Sequence, residues 1–393
     1  MKNESMCVAL LPFAVALFFS SALAEPPEST RPSQQRASFE EQVAEYIRRF
    51  PYQLTHDYTV RFTGGDPRNL NRWVPGGEPA LVTAGDDIVP RTNNDTFYRG
   101  AALDLRSGPV VVEASISADD RFFSFQLVDE RNANFRNIVA PAGNYTLYFG
   151  ERPDEIEGEA IEVPSALSVV IARIEVKDKN DPDDLAAAKT VYDGMSLRGT
   201  PPSEFSKLDL LSAFPAEVMA EAHRRMDEAF ATVPFGETVV GPGEEPGRDV
   251  PHLLHAAGTK GGWGGADAEH SAYDAIMFDA DGEKMMGSNG TYSVTTAVPP
   301  VDAFWSVTVY DTERGGYLHP NSANRYHYNG TMAARNPDGT ATFTFKQACS
   351  AADGNCLEVP AGRFDVSVRY YLPREEIVSG AWRFPKIERS AGR

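Results

Sequence analysis

Two polar clusters in an otherwise strand-patterned chain carry side chains suited to chemistry. The first is Asn93-Asn94-Asp95-Thr96-Phe97-Tyr98, preceded by Pro90-Arg91. Here Arg91 can pair with an anion, Asp95 can accept from a hydroxyl, and Tyr98 can stack or donate. The competing reading is an Asx-turn, in which Asn94 and Asp95 satisfy the backbone of the turn itself. The second cluster is Asp302, Trp305, Tyr310, Asn324, Arg325 and Tyr326. Arg325 can close on Asp302 or Asp311, or take a carboxylate bidentately. Trp305 and Tyr326 can form a sugar-stacking platform, although strand spacing favours Trp305 as core.

The histidines offer one metal-like grouping. His252 and His255 stand three apart beside Asp249, and His270 follows Glu269. That spacing on a helical turn sets two imidazoles on one face for a divalent metal, but no third ligand is fixed. Cys349 and Cys356 form a close pair with no CxxC, which reads as a disulfide across a β-hairpin loop. There is no G-x-S-x-G, no P-loop, no G-x-G-x-x-G after a strand and no H-E-x-x-H. The motif-readable enzyme classes are therefore unsupported, and whether a reaction is catalysed stays open.

The segment Pro299-Pro300-Val301-Asp302-Ala303-Phe304-Trp305-Ser306, with Thr308, Tyr310-Asp311 and Asn324-Arg325-Tyr326, resembles the C-terminal signature of a two-part family. That family joins domains of unknown function twelve-fifty-four (N-terminal) and twelve-fourteen (C-terminal). Asn93 to Tyr98 resembles the N-terminal signature, with Asn94 where the family commonly has Arg. The resemblance implies an immunoglobulin-like sandwich, a helical insert and a jelly roll. It implies no settled activity.

The elements that must position these clusters follow the same plan. Residues 1–24 read as a secretory signal: an apolar run from Val8 to Phe19, too short to span a bilayer, then Ala22-Leu23-Ala24. Residues 25–37 read as a disordered leader. A helix is expected from Phe39 to Phe50, ended by Pro51. Short strands between turns fill an N-terminal β-sandwich domain over 38–180. Asp181-Pro182 and Pro215 open two helices in a helical module over 181–240. A Gly- and Pro-rich linker over 241–265 leads to a jelly-roll-like domain over 266–393. The fold class is thus mainly β, and no internal repeat is read.

The formal net charge is −19. It argues against nucleic acid and anionic lipid as partners. The expectation is a secreted or periplasmic protein, with no membrane span in the mature chain, that binds a small molecule or glycan at the junction of its two β-domains. Arg91, Asn94, Asp95 and Tyr98 would face Asn324, Arg325 and Tyr326 there. An envelope enzyme acting on carbohydrate or a small organic acid, and a structural homo-oligomer, are the alternatives.

Overall fold

The chain is described by a computed structural model over residues 30–390, apart from 75–77, 87–88 and 118. The expected signal peptide, and the leader up to residue 29, lie outside the described residues. The first element is a helix, α1 (Thr30–Thr63), whose first part, up to Glu41, belongs to a separate small unit. It does not stop at Pro51. The buried stripe of Val43, Tyr46, Ile47 and Phe50 continues through His56, Tyr58 and Thr59. Tertiary packing on that stripe outweighs the lost backbone hydrogen bond.

The following strands are β1 (Thr96–Asp104), β2 (Val110–Ala114), β3 (Phe123–Asp129), β4 (Asn134–Val139), β5 (Gly143–Tyr148), β6 (Glu159–Glu162) and β7 (Leu167–Glu175). Helix α2 (Pro182–Asp193) is capped by Asp181, whose side chain accepts from the Asp183 amide. Strand β8 (Met195–Gly199) then returns to the sandwich, so the module after residue 181 is not purely helical. Helices α3 (Ala216–Thr232) and α4 (His252–Gly261) come next. The stretch expected as linker thus carries a helix. Its glycines serve close packing: a Cβ on Gly258 would stand 2.1 Å from Thr238 Oγ1, and one on Gly261 would stand 2.2 Å from the Phe230 ring.

The C-terminal strands are β9 (Ser271–Ile276), β10 (Thr291–Thr296), β11 (Trp305–Asp311), β12 (Tyr317–Leu318), β13 (His327–Asn329), β14 (Ala341–Lys346), β15 (Asn355–Glu358) and β16 (Phe364–Tyr371). Helix α5 (Glu375–Val378) and strand β17 (Glu388–Ser390) end the fold. The mainly β class is as expected: two sandwiches with a helical region between them. Cys349 and Cys356 are bonded, with Cα atoms 5.9 Å apart. The bridge does not cross a hairpin, because β14 and β15 pair in parallel; it closes the connection between them.

The two sandwiches share one strand order. In the N-terminal half the sheets run β1-β7-β3-β4 and β6-β5-β2-β8. In the C-terminal half they run β9-β16-β11-β12 and β15-β14-β10-β17, with β13 also on β11. The senses agree as well: β5–β6 and β14–β15 are the parallel pairs, and the others are antiparallel. A short helix precedes the last strand each time. The repeat that the sequence reading missed is visible once the strands are matched. Phe122-Phe123-Ser124-Phe125-Gln126-Leu127-Val128-Asp129 corresponds to Phe304-Trp305-Ser306-Val307-Thr308-Val309-Tyr310-Asp311. Only Phe, Ser and Asp are identical, and the other positions keep burial rather than residue type.

Each sandwich buries its own core, around Leu103, Phe125 and Val170 in one and around Val307, Phe343 and Val366 in the other. Equivalent residues also meet at the junction. Phe122 and Phe304 both pack on Tyr371, with ring centroids 4.9 and 4.1 Å away.

Candidate anion-binding cavity

A cavity of about 340 Å³ lies between the two sandwiches. Strands β1 and β7 line one side, β9 and β16 the other, and Phe230, Phe235 and Trp263 contribute from the helical region. The register explains which side chains reach it. Tyr98 on β1 stands opposite Arg173 on β7, and Tyr273 on β9 stands opposite Arg369 on β16. Each tyrosine is the third residue of its strand, and each arginine is two residues before the end of its own. The same face, two residues along, holds Gly100 with Ile171 and Ala275 with Ser367. All eight line the cavity. Two equivalent Tyr–Arg pairs therefore face one space.

Both arginines are buried, Arg173 at 6 % and Arg369 at 3 % exposure. Arg173 donates through Nη1 to Gln126 Oε1 and through Nη2 to the Gly264 carbonyl at 2.7 Å. Arg369 donates through Nη1 to Thr308 Oγ1 at 3.3 Å, and through Nη2 to Tyr310 Oη at 2.8 Å and the Arg91 carbonyl at 2.5 Å. Gln126 and Thr308 are themselves equivalent positions on β3 and β11. Among the described residues neither arginine forms an ion pair, and their direct partners are neutral oxygens. A guanidinium stays protonated when buried, so these are standing positive charges.

The phenols around them have protons to give. Tyr98 Oη accepts from the Asn93 amide at 3.3 Å, Tyr371 Oη from Asn93 Nδ2 at 2.7 Å, and Tyr273 Oη from the Ala266 amide at 3.3 Å. Among the described residues none of the three donates its own hydrogen. Burial holds the Tyr371 phenol well above the usual tyrosine range, so it remains a donor at neutral pH. Arg91 is on the wall too, but it is spoken for. Its Nη2 pairs with buried Asp365 at 2.5 Å, its Nη1 reaches the Gly261 carbonyl at 3.0 Å, and it covers the Phe230 ring at 4.7 Å.

The other sequence candidates fall elsewhere. Asn93, rather than Asn94 or Asp95, makes the Asx-turn, its Oδ1 accepting from the Asp95 amide at 3.4 Å and also from the Asn94 amide at 2.8 Å. Asn94 is buried and joins the halves, with Oδ1 2.9 Å from His327 Nδ1. Asp95 is fully buried with no hydrogen bond of ordinary geometry to either carboxylate oxygen. Burial pushes its pKa up to about 6, against the opposing pull of Ser306 and the Arg369 charge. Asn324 and Tyr326 share a second, shallower groove with Asn94 and Lys179. There Asn324 Oδ1 accepts from Tyr326 Oη at 2.9 Å. Arg325 lies in neither space and donates to Tyr328 Oη at 3.2 Å. The two signatures thus meet, but their residues divide between two spaces. Trp305 is 2 % exposed, inside the C-terminal core.

The three histidines do not converge. His252 is exposed, His255 has Nε2 2.7 Å from the Arg131 carbonyl, and His270 has Nδ1 2.9 Å from Asp267 Oδ1. Among the described residues no group of three His, Cys, Asp or Glu side chains is placed to hold a metal. Arg173, Arg369, Tyr273 and Tyr371 escaped the sequence reading. Their signal is an arginine inside a fully buried strand, once in LSVVIARIE and once in FDVSVRYY.

One solved structure agrees with this architecture. A crystal structure of the VPA0106 protein from Vibrio parahaemolyticus is similar, with a TM-score of 0.67 at 18 % identity, over 90 % of this chain and 99 % of that one. A crystal structure of an uncharacterized protein from Burkholderia cenocepacia aligns over 91 % of this chain and 96 % of that one, with a TM-score of 0.48 at 14 % identity. No curated protein matches. Residues 77–199 match the family described as protein of unknown function DUF1254, and residues 270–375 match protein of unknown function DUF1214. The chain belongs to the two-part family that joins a DUF1254 half to a DUF1214 half.

Proposed function

We propose that this chain is an exported protein that binds a small organic anion in the cavity between its two sandwiches. The observation that supports this reading is the pair of buried guanidiniums, Arg173 and Arg369, on the cavity wall, neither in an ion pair among the described residues, although the Asp95 charge acts on Arg369. A buried charge without a counter-charge costs several kcal/mol. An anionic ligand supplies the missing charge, and the idle phenol protons supply hydrogen bonds to it. Neutral glycans fit less well, since they bring no charge to either guanidinium. No observation favours the enzymatic alternative. Export is supported by the Ala22-Leu23-Ala24 motif and by the Cys349–Cys356 bridge, which suits an oxidising compartment.

Two measurements test the reading. Thermal unfolding with a panel of small organic acids is expected to show a rise in Tm for one structural class; a ligand at ~100 times its Kd adds about 2.7 kcal/mol. Substituting Arg369→Met is expected to abolish that rise. A panel without effect at millimolar concentrations sinks the binding proposal. The intact mass of the protein from its native host is expected to match a chain starting at Glu25, less two hydrogens for the bridge. A mass that retains residues 1–24 sinks the export proposal.

A further inference from the structure

The repeat places equivalent arginines on opposite sides of one cavity, which leaves two kinds of acid to distinguish. A two-headed acid would give each arginine its own carboxylate. A one-headed acid would sit between them. The surroundings decide between these. Arg173 lies over the Tyr98 ring at 5.6 Å, and Tyr371 follows Arg369 by two residues on the same face of its strand. Those phenols are also tied together by one residue, Asn93, whose amide and side chain donate to them. These two phenols, with the guanidiniums beside them, thus gather around Asn93.

Arg91, Arg99 and Asp86 also line the cavity, and the rest of the wall is mainly apolar and aromatic. Phe235 meets Tyr273 and Phe230 edge to face, with centroids 5.1 and 6.0 Å apart, and Trp263 packs on Phe62 at 5.8 Å. Such a wall suits the face and edge of a ring. A second carboxylate against these rings would find Arg91 already held by Asp365, and Arg99 donating to the Tyr192 and Met195 carbonyls. The volume, about 340 Å³, is at the small end for ligand sites.

Resting on the anion-binding reading, we infer that the ligand is a monocarboxylate with a ring-sized apolar body, its single head shared by Arg173 and Arg369 and its body against Phe62, Phe230, Phe235 and Trp263. The head carries one charge and accepts from both forks and from the phenols. The body carries no second acid.

The test is calorimetric titration of the full mature chain with benzoate, benzamide and terephthalate, at fixed pH and salt. Benzoate is expected to bind, and benzamide and terephthalate to bind roughly a hundredfold more weakly. Arg173→Met and Arg369→Met are each expected to weaken benzoate by a similar factor, and the double variant by less than the product of the two, because one head is shared. Arg173→Lys and Arg369→Lys keep the charge without the fork and are expected to recover part of the binding. The wild-type series needs no variant to fold. Terephthalate binding more tightly than benzoate, with the two substitutions acting additively, overturns the one-headed ligand while leaving anion binding intact. Benzamide binding as well as benzoate, or neither acid binding, overturns both.

Discussion

Burial sets the acidity of two carboxyl groups near the junction, and this makes stability depend on pH. Asp95 is raised to about 6 from an ordinary 3.8, and Glu175 to about 7 from 4.5, in both cases chiefly by burial. A raised carboxyl pKa means that the folded chain holds the proton more tightly than the unfolded chain. The resulting stabilisation is complete below about pH 4 and is lost as pH rises through 6 and 7. Each shift corresponds to about 3 kcal/mol. Asp95→Asn is therefore expected to flatten the fall in Tm between pH 5 and pH 8 by Asp95's share. An unchanged profile would show that Asp95 keeps its ordinary acidity. Site legibility in the sequence followed side-chain type. Arg91 and Tyr98 stand in a polar cluster and were readable, whereas Arg173 and Arg369 sit singly among apolar strand residues. Period-two reading assigns such a residue to an outer, solvated face. Only the opposing sandwich turns that face inward, and no local pattern announces it.

At the scale of elements, the helical region forms the cavity's aromatic side through close approaches that glycine permits. Helix α4 packs on α3 with Gly261 against the Phe230 ring, and on the turn at Phe235–Thr238 with Gly258 against Thr238. Two effects oppose each other if alanine replaces either glycine. Helix propensity favours alanine by about 1 kcal/mol, while overpacking costs about 1–3 kcal/mol. At 2.1–2.2 Å the overlap wins. Gly258→Ala and Gly261→Ala are expected to lower Tm, and Gly261→Ala also to weaken ligand binding by displacing Phe230. Gly85→Ala, with nothing within 4 Å, serves as the control. A higher Tm for either helical variant would show that the helices separate freely. The same glycines explain why this stretch reads as a linker. Composition counts them as flexibility, and only the neighbouring helix reveals them as contact points. The helices α2 and α3 were legible because Asp181-Pro182 and Pro215 mark their starts.

At the scale of the whole molecule, the two sandwiches are joined by the segment from Arg91 to Asn94. It precedes β1 of the first sandwich, yet each of its residues also has a partner in the second. Arg91 pairs with Asp365, the Thr92 carbonyl accepts from Tyr310 Oη at 2.8 Å, Asn93 donates to Tyr371, and Asn94 bonds His327. Asn329 Nδ2 answers from the other side, donating to the Lys177 carbonyl at 2.9 Å. Opening the junction would leave several of these buried polar groups unpaired at once, and each costs about 1–3 kcal/mol. Two domains joined by a sparse interface unfold separately. A junction of this kind couples them. Scanning calorimetry of the mature chain is therefore expected to show one transition despite the two cores, and a bound acid is expected to move that transition without splitting it. Asn93→Ala removes the Nδ2 donor to Tyr371 and the Oδ1 acceptor of the turn from the centre of the junction, so it is expected to separate the transition into two. Two transitions already present in the unsubstituted chain would mean that each sandwich stands alone, and that the cavity between them opens before either core melts.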